Sequence, residues 1–122
     1  MGISVVLVEH PPAVRQTLKA RLSLEDDLRI VGEASDAAYA TELAMTLAPD
    51  VLLLDAEMPH LDLKSTVREL AERAPAGSIV ILTLEPARAR RELPSVNVVG
   101  KHEGTGALLA AIRSAGTGRR AD

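Results

Sequence analysis

Apolar positions along the chain fall into two kinds of pattern, and the two alternate. Five stretches are short and apolar at least through their centres: residues 3–8, 28–33 (about Ile30 and Val31), 51–55, 78–83 and 96–99. Runs of that length, rich in Val, Ile and Leu, predict strands covered on both faces, as in a parallel sheet. Between them the apolar residues take helical spacing. Val14, Leu18 and Leu22 recur every four residues after Pro12, which suits the first turn of a helix. Ser35 or Asp36 caps a second helix to about Leu47, with Leu43 and Leu47 inward. A third covers residues 64–74 with Val67, Leu70 and Ala71 inward, followed by a turn at Pro75-Ala76-Gly77. Residues 86–93 have room for two helical turns before Pro94, so the fourth helix is short. The last helix covers residues 105–115 with Leu108, Leu109 and Ile112 apolar and Gly116 as its stop.

Strands alternating with helices through short connections predict a doubly wound α/β fold: a five-stranded parallel sheet in the flavodoxin-like order 2-1-3-4-5. One domain is expected over residues 1–115, with 116–122 as a polar tail or linker. Composition narrows the function. Tyr39 is the sole aromatic residue, so base-stacking surfaces are not available, and a net charge of −3 argues against direct nucleic-acid binding by this domain. The absence of cysteine removes disulfides, thiolate chemistry and Cys-based zinc sites. No apolar run approaches the roughly 18–20 residues needed to cross a membrane. No basic leader precedes the first strand, and a cytoplasmic protein without membrane contact is expected.

The chemistry gathers where the strands end. If all five are parallel, one sheet edge carries Glu9 and His10, Asp55, Thr83 and Lys101. Asp55 ends the most apolar strand, Val51–Asp55, and an ionisable group there calls for an explanation. Two acids, a hydroxyl and a lysine suit a phosphate with a divalent cation. The cation would sit on Asp55 and a neighbouring carboxylate. Lys101 would pair with one phosphoryl oxygen and the Thr83 hydroxyl with another. Asp55 could then act as a nucleophile towards phosphorus. Plainer readings stand beside these: Asp55 as a loop cap, Lys101 as a solvated lysine, Thr83 as a β-branched strand end, His10 as a polar loop residue.

The stretches Val8-Glu9-His10-Pro11-Pro12-Ala13-Val14-Arg15, Ile30-Val31-Gly32-Glu33-Ala34, Pro49-Asp50 with Val51–Asp55, Met58-Pro59, Val80-Ile81-Leu82-Thr83 and Lys101 together resemble a response-regulator receiver domain, of the NarL/LuxR type with a helix-turn-helix output. The resemblance covers residues 3–115. It implies Asp55 as acceptor of a phosphoryl group from a sensor histidine kinase, Thr83 and Lys101 as switch partners, and Mg²⁺ as cofactor. The metal would be held by Glu9, Asp55 and the backbone carbonyl of Glu57. It further implies transcription control through a homodimer, with DNA reached only through a C-terminal output domain that this chain does not encode.

Several residues depart from the family pattern. His10 stands where the family has its metal-contacting acid, and imidazole suits softer metals than Mg²⁺, so a weakened metal site is expected. Placed between Glu9 and Asp55, a protonated His10 would stand in for the cation. Leu84 follows Thr83 where a small residue is usual, and is expected to crowd the pocket. Val98 takes the place of the switch aromatic. Glu57 and Glu85 are expected to repel an anionic phosphoryl donor. Arg88-Ala89-Arg90-Arg91 reads as a solvated helix face, or else a basic contact patch. With the fourth helix short, the dimer face is expected on the first and last helices. The competing reading is a phosphorylation-independent dimerisation or protein-interaction module. A small flavodoxin-like enzyme or nucleotide binder ranks below both, because the chain has no Gly-rich phosphate loop and no nucleophile–base pair. An enzyme is not expected.

Overall fold

The computed structural model describes residues 2–74 and 78–120. Strands and helices alternate through them: β1 (Ile3–Val8), α1 (Pro12–Leu22), β2 (Leu28–Ala34), α2 (Ala37–Leu47), β3 (Val51–Asp55), α3 (Leu63–Ala71), β4 (Ile79–Thr83), α4 (Pro86–Glu92), β5 (Asn97–Gly100) and α5 (Thr105–Arg120). Every strand pair is parallel and the order is β2-β1-β3-β4-β5. The doubly wound sheet expected from the alternating pattern is the one observed.

The apolar runs are explained by the two-sided core. Successive strand side chains point to opposite faces. Val5, Leu7, Leu53 and Val80 meet Leu22, Leu109 and Ile112 on the α1/α5 side. Val6, Leu52, Leu54 and Ile81 meet Val67 and Leu70 on the α2/α3 side. β3 lies in the middle and is buried along its whole length, Asp55 included. With Tyr39 the sole aromatic residue, the core is aliphatic, built from Val, Leu and Ile with several alanines and Met58.

The helices differ from expectation in detail. Asp36, not Ser35, caps α2, its carboxylate accepting from the Tyr39 N–H at 2.8 Å. α2 buries its small residues Ala40, Thr41 and Ala44, which lets it lie close to the sheet and leaves Leu47 exposed at the edge. Val14 is likewise exposed, and α1 buries Leu22. α3 ends at Ala71, which is itself exposed. The chain leaves it in tighter turns, Glu72 N–H to the Glu69 carbonyl and Arg73 N–H to the Leu70 carbonyl. The turn expected at Pro75-Ala76-Gly77 lies outside the described residues. α4 has two turns, as anticipated.

Gly116 does not stop α5, which continues to Arg120. A Cβ at Gly116 would come within 2.5 Å of Ile3 Cγ2, so the glycine permits close approach of α5 to the start of β1. The polar stretch from residue 116 is therefore helical as far as Arg120, and Ala121-Asp122 lies outside the described residues. Arg113 on α5 donates to Asp27 at 2.8 and 2.9 Å and to Glu25 at 2.7 Å, tying the helix to the α1–β2 turn.

Candidate functional site

Strand register brings the four expected groups to one edge. Val8 pairs with Leu54, Asp55 with Leu82, and Thr83 with Gly100. The ladder runs on past the strands: Glu9 N–H bonds the Ala34 carbonyl at 3.0 Å, Ala56 N–H the Leu82 carbonyl at 2.9 Å, and Lys101 N–H the Thr83 carbonyl at 2.8 Å. Glu9, Asp55, Thr83 and Lys101 thus project from backbone that is itself pinned.

Asp55 and Glu9 are both buried, 6% and 2% exposed. Asp55 Oδ1 accepts from the Glu57 N–H at 2.9 Å and pairs with Lys101 Nζ at 2.8 Å. The Glu9 side chain hydrogen-bonds Asp55. Burial is the first cause that pushes the Glu9 carboxyl up, to about 8, and the hydrogen bond to Asp55 and its negative charge add to it. Burial also pushes Asp55 up, but hydrogen bonds from Glu9, Lys101 and the Glu57 N–H outweigh it and hold Asp55 below the usual carboxylate range. Near neutral pH the pair therefore shares one proton, carried by Glu9 and donated towards Asp55. Desolvation pulls Lys101 down, yet its bonds to Asp55 and Glu57 win, so its ammonium stays charged.

Glu57 holds the other half of the site. Its Oε2 accepts from Thr83 Oγ at 2.6 Å. Its Oε1 accepts from the Leu84 N–H at 3.0 Å and pairs with Lys101 Nζ at 2.9 Å. Thr83 Oγ in turn accepts from the Glu85 N–H at 3.1 Å. Glu57, expected as a repulsive acid and a backbone ligand, instead places its carboxylate at the centre of this half of the site. The available signal was its position, an acid two residues beyond Asp55 on the turn that faces the end of β4.

Other expectations are corrected. The His10 ring does not lie between the two acids. It is exposed, and its Nδ1 stands 3.4 Å from the Ser35 carbonyl, while its backbone N–H donates to Glu9 Oε1 at 3.2 Å. The cation beside Asp55 is Lys101. Leu84 does not crowd the pocket: its side chain is 61% exposed and only its N–H turns inward. Glu85 is exposed and lies 3.8 Å from Arg88, which also pairs with Glu92 at 3.0 Å. Arg90 donates to the Val98 carbonyl at 3.0 Å and to Glu103 at 3.2 Å, so the arginines of α4 largely bond within the domain.

For a divalent ion the side-chain donors are Glu9 and Asp55, hard oxygens of the kind Mg²⁺ takes. Among the described residues no grouping of three His, Asp or Glu side chains is placed to hold a metal. The pair fits Mg²⁺ through two carboxylates once the shared proton leaves, and it supplies no third acid. Open clefts reach the site from both sides. A polar cleft of about 440 Å³ between α3 and α4 is lined by Glu57, Thr83, Lys64 and Arg88. A groove of about 520 Å³ along α1 is lined by Glu9, Lys101, Val14, Leu18, Leu82 and Thr105. No helix among the described residues is long and apolar enough to cross a membrane.

The chain is similar to several known proteins. The response regulator receiver domain model matches residues 5–113. The nitrate/nitrite response regulator protein NarL of Escherichia coli K12 is 35% identical over 81 residues, which cover 66% of this chain and 38% of that protein. A protein-glutamate methylesterase/protein-glutamine glutaminase of Cereibacter sphaeroides is 37% identical over 114 residues, covering 88% of this chain and 31% of that protein. The signal receiver domain of NarL from Mycobacterium tuberculosis superposes with a TM-score of 0.80 at 27% identity, over 96% of this chain and 98% of that one. The chain spans well under half the length of these curated relatives.

Proposed function

Because this chain belongs to the response regulator receiver family, we propose that it is the signal-input domain of a regulator in which Asp55 accepts a phosphoryl group from a histidine kinase. The observation that carries this reading is the buried Asp55 carboxylate at the end of β3, with Lys101 Nζ 2.8 Å away and the Thr83 hydroxyl on the adjoining strand end. Oδ1 is committed to the Glu57 N–H and to Lys101. The attack on phosphorus therefore falls to Oδ2. The new P–O bond forms as the P–N bond to the donor imidazole breaks, and the electron pair leaves with that nitrogen, which takes up a proton. The arriving negative charge holds the Glu9 proton more tightly, and that proton would leave to solvent only where Mg²⁺ took its place. Lys101 then pairs with one phosphoryl oxygen and Thr83 Oγ donates to another. Glu9, Asp55 and the Glu57 carbonyl would hold Mg²⁺, which would supply positive charge to offset that of the transferred group. With His10 in place of an acid, the ion is held weakly and phosphorylation is slow.

The output we propose is transcription control through a homodimer, with DNA contacted by a separate C-terminal domain. Relatedness to NarL supports it, although methylesterases carry receivers of comparable similarity. The short α4 favours a dimer face on α1 and α5. Intact mass and sedimentation after incubation with acetyl phosphate and Mg²⁺ test the reading. The wild-type chain gains one phosphoryl group and shifts towards dimer, while Asp55→Asn does neither. A wild-type chain that changes in neither respect returns the domain to a phosphorylation-independent interaction module.

A further inference from the structure

Three donors converge beside Asp55: the Thr83 hydroxyl, the Leu84 N–H and the Lys101 ammonium. A hydroxyl, an amide and a cation aimed at one point make a cradle for an oxyanion. The cradle is already filled. Both oxygens of Glu57 lie in it, at 2.6 Å from Thr83 Oγ, 3.0 Å from the Leu84 nitrogen and 2.9 Å from Lys101 Nζ. The 2.6 Å contact is in the range of a charge-assisted O–H···O⁻ bond. Thr83 and Lys101 are also the groups that a phosphoryl on Asp55 would use.

We propose that Glu57 is an internal anion that occupies the phosphoryl cradle, so that a phosphoryl group on Asp55 must displace a resident carboxylate. This rests on Asp55 being the phosphoacceptor. Glu57 sits two residues beyond Asp55, and its own N–H bonds Asp55 Oδ1, so its backbone holds station while the side chain swings. The adjoining polar cleft, lined by Lys64 and Arg88 together with Asp62, Glu85 and Glu92, gives the evicted carboxylate a solvated space to swing into. Two negative groups cannot share one set of donors, and the resident one starts with all of them. Glu57 thereby sets how readily this domain takes up a phosphoryl group, and it is a positioning residue that touches the acceptor's partners.

Beryllofluoride with Mg²⁺, titrated into the full chain and followed through the Leu84 amide by NMR, tests this. Glu57→Ala is expected to half-saturate at a concentration at least about tenfold lower than wild type. Glu57→Gln, which keeps the volume and loses the charge, should fall between them. In the free protein, both substitutions should move the Leu84 amide shift, and Glu57→Ala should speed its hydrogen exchange. Equal half-saturation in wild type and Glu57→Ala overturns the inference and leaves Asp55 as acceptor. No saturation in any of the three proteins overturns the acceptor reading itself, and the inference with it.

Discussion

On one side of Asp55, Lys101, Thr83 and the Leu84 N–H point three donors at one spot, and Glu57 fills it. On the other side, Glu9 offers one buried acid that shares a proton with Asp55, and His10 turns its ring away to the Ser35 carbonyl. The donor side is complete and satisfied from within the chain. The cation side is one acid short, and a proton does part of what a metal would do there. Position alone does not explain the contrast, since both sides sit on the same pinned strand ends. It comes from two residue choices, an acid at Glu57 and an imidazole at His10. Under the proposed function, these two residues would decide whether an incoming phosphoryl group meets open donors and a firmly held cation.

The largest effect should come from breaking the donor side. Lys101→Ala strands two carboxylates that now share one ammonium. It should cost about 2–3 kcal/mol of stability in urea unfolding. A loss within error of zero would mean that Lys101 is merely a solvated surface lysine.

Next is the cation side. Glu9 carries its proton up to about pH 8 in the folded chain against 4.5 when unfolded. The folded state therefore binds more protons across that interval, and the contribution of Glu9 to stability, full below pH 4.5, is lost as pH rises through about 8. Asp55 runs the opposite way: its contribution is present above its ordinary value of 3.8 and lost as pH falls below it. Glu9→Gln should flatten the decline between pH 4.5 and 8 and leave the acid limb in place. Denaturation midpoints across pH read this directly, and an unchanged slope would contradict the shared proton.

A smaller change should follow from His10→Asp, which returns an acid to the edge beside Glu9. Mg²⁺ affinity measured by calorimetry should rise about tenfold, since ligand charge governs such sites. Unchanged affinity would show that residue 10 does not reach the metal. The smallest effect belongs to Leu84→Ala. Its side chain points outward, so stability should stay within about 0.5 kcal/mol and beryllofluoride uptake should not change.

The fold was legible because a two-sided core writes itself as short uniform apolar runs, and β3 is the clearest of them. The strand-end groups followed from parallel topology: Asp55, Thr83, Lys101 and Glu9 meet where register puts them. Side-chain direction was harder to read. Leu47 and Val14 fit an inward stripe by spacing, yet α2 packs on its alanines and α1 on Leu22. Gly116 has the composition of a helix stop but serves contact with Ile3, a partner more than a hundred residues away in sequence. His10 and Leu84 stand at positions that border the pocket in sequence, yet both side chains turn outward. Glu57 went the other way, because a long acid on a turn can reach back across the strand ends, and linear spacing carries no record of that reach.

The most direct test of the central claim compares rates of phosphoryl gain by intact mass, with acetyl phosphate and Mg²⁺, for the wild-type chain, Glu57→Ala and Asp55→Asn. Asp55→Asn should show no gain, and Glu57→Ala should gain the group at a rate about tenfold above wild type. Equal rates for Glu57→Ala and wild type, or a gain in Asp55→Asn that matches wild type, would contradict that claim.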